Sequence, residues 1–121
     1  MNESTFLRAG TAVLDAIESA VDAAVDGAGG AAAGAAVSAG SSIDFERKGE
    51  GVLALEFENG TQIIVNLQAP MQQIWLAAKA GGFHFSERGG RWIDTRSGEE
   101  LFSVLSAHAS AQSGQSISLR G

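Results

Sequence analysis

Four carboxylates are spaced along one short stretch, DAIESAVDAAVD: Asp15, Glu18, Asp22 and Asp26. On a helix turning about 100° per residue they fall within an arc of roughly 80°. No Lys or Arg stands three or four places from any of them to offset their mutual repulsion. Oxygen donors on neighbouring turns can hold hard cations cooperatively, which suits iron, manganese, calcium or magnesium. Further on, SIDFERK alternates, so Asp44 and Glu46 share the polar side of a strand. They extend the helical row into a ridge if that strand runs along a sheet edge beside the helix. The set forms no closed ligand loop, so binding there is expected to be shallow and weakly selective. A solvated helix face kept for solubility would carry the same pattern.

Other reactive chemistry is sparse. The chain has no cysteine, which excludes disulfides, thiolate catalysis and Cys-ligated metal centres. His84 and His108 are the only histidines, and neither has a partner at zinc-ligand spacing. His84 lies between Phe83 and Phe85 in an alternating run, so it faces away from both. His108 sits beside the apolar stripe of the last helix and reads as a packing residue. The glycine pairs in AGGFHF and ERGGRW lack the phosphate-loop pattern and read as turns. Trp75 points away from its neighbours Ile74 and Leu76. With those two in the core, it stands on the open face of a sheet, with Asn66 and Gln68 on the adjacent strand. An exposed Trp among amides has the makings of an interaction hot spot. A Trp shielded by its neighbours is the alternative.

Charge is unevenly placed. Of 14 acids and 8 bases in 121 residues, residues 1–46 hold seven acids and only Arg8, while residues 47–121 hold seven of each. The net charge of −6 therefore resides in the first 46 residues. Such asymmetry is a localised field aimed at something cationic, and it argues against a nucleic-acid backbone as partner. No basic start leads into an apolar stretch, and the Gly/Ala run at 27–40 lacks the large side chains of a membrane span. The expected compartment is the cytoplasm.

These residues need elements to position them, and the periodicity supplies a set. Residues 3 to about 26 read as a helix with Leu14, Ile17 and Val21 opposite the acids and Asn2 or Ser4 as N-cap. Residues 27–41 read as a flexible Gly/Ala-rich insert. The period then changes to two, giving strands near 42–48, 51–57, 61–67, 72–79, 83–87 and 91–95. A closing helix spans 97–112, with Ser97 and Glu100 at capping-box spacing and Leu101, Phe102, Leu105 and Ala109 as its stripe. SISLR at 116–120 is a tail that can lie along the domain. The order predicts one α+β domain, a two-layer sandwich with both helices on one face of an antiparallel sheet of about five or six strands.

The run FENGTQIIVNLQAPMQQIWLAAKAGGFHF, residues 57–85, resembles the signature of the frataxin family. Asn66, Gln68, Pro70, Gln73, Trp75 and the Gly81-Gly82-aromatic step carry the likeness, which extends over residues 1–26 and 42 to about 117. The opening MNESTF and TRSGEELF resemble its bacterial branch. The resemblance implies the same α+β sandwich and a role as an iron-binding regulator of iron–sulfur cluster assembly, not an enzyme. It implies weak, reversible binding of Fe²⁺ or Fe³⁺, other divalent cations included, and docking on the cysteine desulfurase and the scaffold protein. Monomers are expected, with iron-driven oligomers an option. Carried over by position, Glu18, Asp22, Asp44 and Glu46 stand on the ridge, supplemented by Asp15 and Asp26. Asn66, Gln68 and Trp75 stand at the sheet interface, and Glu18 and Asp22 serve docking as well as metal. The ridge departs from the family pattern at Ser19, Ala23 and Val25, where acids are common. The Gly/Ala insert separates its two halves. Two alternatives stay open: ferroxidase or iron-storage activity at the ridge, and a metal-independent adaptor.

Overall fold

The computed structural model describes residues 2–31, 43–49, 51–57, 59–114 and 117–119, and within 23–31 it describes the backbone only. The element order is α1 (Glu3–Ala31), β1 (Ile43–Arg47), β2 (Val52–Phe57), β3 (Gln62–Gln68), β4 (Gln73–Ala78), β5 (Gly81–Arg88), β6 (Arg91–Asp94) and α2 (Leu101–Ser113). All six strands pair antiparallel with their sequence neighbours, in the order β1-β2-β3-β4-β5-β6. Both helices pack on one face of this sheet, the predicted two-layer α+β sandwich.

Asn2 starts α1 by accepting the Thr5 N–H on its side chain at 2.8 Å, satisfying one of the helix's unpaired donors. The helix runs to Ala31, five residues beyond the predicted end near residue 26. Adding residues to a formed helix avoids the nucleation cost, although Gly27, Gly29 and Gly30 each carry a propensity penalty of about 1 kcal/mol relative to Ala. Of the predicted flexible insert, 27–31 is thus helical, and residues 32–41 lie outside the described residues.

Alternation sorts the strands. Leu53, Leu55, Ile63, Val65, Ile74, Leu76 and Phe85 point inward and are almost completely buried, under Phe6, Leu14, Ile17 and Val21 of α1 and Leu101 and Leu105 of α2. Phe6 meets Trp92 edge to face, with centroids 5.8 Å apart. Gly10 lets α1 lie close over β3: a Cβ there would sit 2.7 Å from a terminal methyl of Leu67, so that side chain would have to shift.

The predicted capping box does not form. Glu100 is itself the N-cap of α2, its carboxylate accepting from Phe102 N at 3.1 Å. Ser97 instead closes the preceding turn onto Asp94. Val104 replaces Phe102 in the fully buried stripe. The tail does lie along the domain. Ser110 Oγ donates to Ile117 O and accepts from Ile117 N, and Ser106 Oγ does the same for Leu119. Two hydroxyls one helical turn apart thereby stand in for a strand edge, and Leu119 is buried. Among the described residues, no helix is long and apolar enough to cross a membrane.

Candidate functional site

The antiparallel order leaves β1 at one edge of the sheet, beside α1 as the ridge requires. The side chains arrange themselves differently from the expectation. Ile43, Phe45 and Arg47 share the inner parity, and Asp44 and Glu46 face the open side, both exposed. Arg47 therefore reaches α1. Its Nη2 donates to Asp15 Oδ1 at 2.5 Å, and its Nε lies 2.7 Å from Glu18 Oε2. The second contact is an ion pair without the alignment of a directed hydrogen bond.

Asp15 and Glu18 are thus not the unpaired charges that local spacing suggested, because their cation comes from 32 residues away for Asp15. Asp22 is exposed on α1, and the Asp26 side chain lies outside the described residues. Among the described residues, no three His, Cys, Asp or Glu side chains converge as a metal group. The predicted ligands are spread over two elements and both sides of β1. Such a donor set could hold a hard cation only at exposed carboxylates with water completing the shell, and does not fit an enclosed centre.

Glu56 joins the acidic set on the open face, since register places it opposite Asp44. Like charges directly across a strand pair destabilise it, so the open side of this edge holds concentrated negative potential. Gln62 Nε2 donates to Glu56 at 3.3 Å and Lys48 lines the same shallow cleft. Glu56 was legible from alternation with Leu55 and Phe57.

The second surface is the open face further along the sheet. Register aligns Asn66, Trp75 and His84 in one row and Gln68, Gln73 and Ser86 in the next. Here the structure brings together all three predicted interface residues. Trp75 is half-buried, and its Nε1 donates to Gln73 Oε1 at 2.9 Å. Gln68 Nε2 donates to Asn66 Oδ1 at 2.8 Å. His84 is exposed and stacks on the indole, 4.3 Å between centroids. Ahead of β4, the 3₁₀ turn Ala69–Met71 ends on Gln72, held at φ 51°. That left-handed residue re-aims the chain so that Gln73 and Trp75 enter the open face together. His108 packs against Phe83 on the helical side, 4.9 Å between centroids, consistent with a packing role.

Beneath this face lies a buried carboxylate. Asp94 Oδ2 accepts from Ser97 N at 3.0 Å and Ser97 Oγ at 2.7 Å. Burial pushes its pKa up, but the Ser97 hydroxyl and the backbone N–H groups of Ser97, His84 and Arg96 outweigh it and hold the pKa below the ordinary 3.8. The group anchors the β6–α2 turn.

Two helices on one face of a six-stranded antiparallel sheet, with an acidic edge and an amide-and-aromatic row on the open face, define an α+β sandwich. Comparison with known families makes that specific. Residues 1–115 match the frataxin-like domain, and this chain belongs to the frataxin family. It is 49% identical over 119 residues to the iron-sulfur cluster assembly protein CyaY of Cupriavidus necator, covering 98% of this chain and 96% of that one. Frataxin from Psychromonas ingrahamii superposes with a TM-score of 0.80 at 31% identity over the full length of both chains. A trimeric yeast frataxin complexed with ferrous iron, from Saccharomyces cerevisiae, matches 60% of this chain and 64% of that one at 31% identity and a TM-score of 0.51.

Proposed function

We propose that this chain is a non-enzymatic regulator of iron–sulfur cluster assembly that carries iron loosely on its acidic edge and docks through that edge on the cysteine desulfurase. The sheet face around Trp75 supplies a second contact, to the scaffold protein or the desulfurase–scaffold pair. The observation that carries the reading is the separation of two unlike surfaces on one sheet: exposed Asp22, Asp44, Glu46 and Glu56 at the β1 edge, and the Asn66–Trp75–His84 row at its centre. Long-range attraction orients a basic partner, and a flat aromatic plate then holds it at short range. Iron is cargo here, bound at exposed carboxylates and exchanged readily. The family's assembly role and the ferrous complex of the yeast relative support this reading.

The ferroxidase alternative requires carboxylates paired closely enough to bridge two metals about 4 Å apart, and among the described residues no three acids on α1 and β1 gather as a metal group. Monomers suit a module that presents two surfaces at once, with oligomers as an iron-dependent state.

The test reverses charge at Asp22→Lys and Asp44→Lys, leaving Glu18 alone because Arg47 already engages it. Association with the desulfurase is then followed across a salt series. The double variant should associate about tenfold or more slowly at low salt and with a flatter salt dependence. Unchanged association by the folded variant removes the acidic edge from the interface.

A further inference from the structure

The open face of the sheet changes character from one edge to the other. Asp44 and Glu56 stand opposite each other on β1 and β2, and the Asn66–Trp75–His84 row fills the middle. At the far side the β5–β6 hairpin sets Arg88 directly opposite Arg91. Phe85, Trp92 and Asp94 are buried on the inner side, so alternation puts both arginines on the open face with His84 and Ser86, and both are exposed. Neither has a carboxylate within ion-pair distance among the described residues. Glu87, the adjacent acid, has the other parity, opposite Trp92, and its carboxylate accepts from Gly90 N at 2.5 Å. Like charges set directly across a strand pair weaken it. The arginine pair therefore works against its own hairpin, and negative charge from outside relieves it. We propose that the protein docking on this face presents a short acidic segment, and that Arg88 and Arg91 clamp two of its Asp or Glu carboxylates beside the Trp75–His84 plate. The inference rests on the reading of the open face as a docking surface and adds the charge of what docks there.

Two guanidinium forks on neighbouring strands, with Cβ atoms about 5 Å apart, match two separate carboxylates, each taking two parallel N–H bonds. A phosphate fits less well. It seeks backbone N–H groups gathered in a turn, and here the Gly90 N–H already serves Glu87, whose charge repels a dianion. Arg88 follows His84 by four residues, so the clamp lies about 13 Å along β5 from the stack, within one interface patch. A partner with basic groups against Asp44 and Glu56 and acidic groups against Arg88 and Arg91 is held in one orientation, because the reversed pose sets like charges together.

The test is a sign. Arg88→Glu with Arg91→Glu lowers the net charge of −6 by four, two for each substitution. A basic partner that felt only the long-range field would bind this double variant faster and more tightly. The clamp requires the opposite: affinity for the desulfurase–scaffold pair about tenfold weaker, mostly through faster dissociation. Arg88→Glu alone sets opposite charges across the hairpin, so its melting temperature should hold or rise while its affinity falls, which separates docking from folding. A hexaglutamate peptide added to the full chain should shift the side-chain Nε–Hε signals of Arg88 and Arg91 more than that of Arg96. Equal or tighter binding of the pair by the folded double variant overturns this proposal alone. So does a peptide that leaves Arg88 and Arg91 no more shifted than Arg96. Failure of the unaltered chain to bind the pair at all overturns the docking reading together with the proposal.

Discussion

Trp75 lies flat against His84 across the β4–β5 pair, with centroids 4.3 Å apart and planes 16° from parallel. The stack stands on the face opposite the core, since Ile74 and Leu76 on either side of Trp75 are almost fully buried. Replacing Trp75 by Ala should therefore separate binding from folding. Loss of an aromatic anchor at the centre of an interface typically costs about 2 kcal/mol, or some thirtyfold in affinity, mostly through faster dissociation. The Ala variant should keep its circular dichroism and salt dependence while the complex proposed above, with the desulfurase and scaffold, dissociates faster. A variant that dissociates at the original rate would place the contact elsewhere.

The same pair marks where sequence reasoning stopped short. Alternation alone put Trp75 and His84 on the open face, but pairing them needs the centre of the hairpin. The turn is centred on Lys79 and Ala80, so Ala78 faces Gly81 and the register carries through to Trp75 and His84. Starting β5 at residue 83 hides that. Arg47 illustrates a different gap. Its parity with Ile43 and Phe45 was readable, but that Asp15 and Glu18 stand above it depends on how α1 crosses the sheet, which no local spacing encodes. The buried apolar positions were readable because burial is enforced along whole elements. The Ser97–Glu100 spacing misled because a buried Asp94 competes for the same serine more effectively.

Gln112 is a buried polar residue whose whole amide is used. Nε2 donates to Thr61 Oγ1 at 3.0 Å and Gln62 O at 3.2 Å, and Oε1 accepts from Lys79 N at 2.9 Å. It ties the end of α2 to the β2–β3 and β4–β5 turns. Gln112→Leu keeps the volume but strands the partners, and part-buried groups left unsatisfied cost about 1–3 kcal/mol. Urea unfolding should show a lower midpoint with an unchanged slope, whereas a shift below about 0.5 kcal/mol would mean that water replaces the amide freely.

Asp94 should set part of the acid limit of the fold. Its pKa is lowered in the folded chain, so the native state holds its proton less tightly than the unfolded chain does. The sign follows: the stabilisation is fully present above the ordinary value of 3.8 and is lost as pH falls through the folded pKa. Asp94→Asn cannot titrate, and its amide cannot accept both Ser97 bonds with a carboxylate's strength. The variant should be less stable than the parent at neutral pH, and the difference should shrink below about pH 4 as the parent loses its advantage. Ser97→Ala should produce a smaller loss with the same pH trend, because it removes the hydroxyl donor but leaves the Ser97 N–H. Chemical denaturation at a series of pH values between neutral and about 3 reads this directly. A stability gap that stays constant across the series would mean that Asp94 serves the turn by shape alone, with no contribution from its charge.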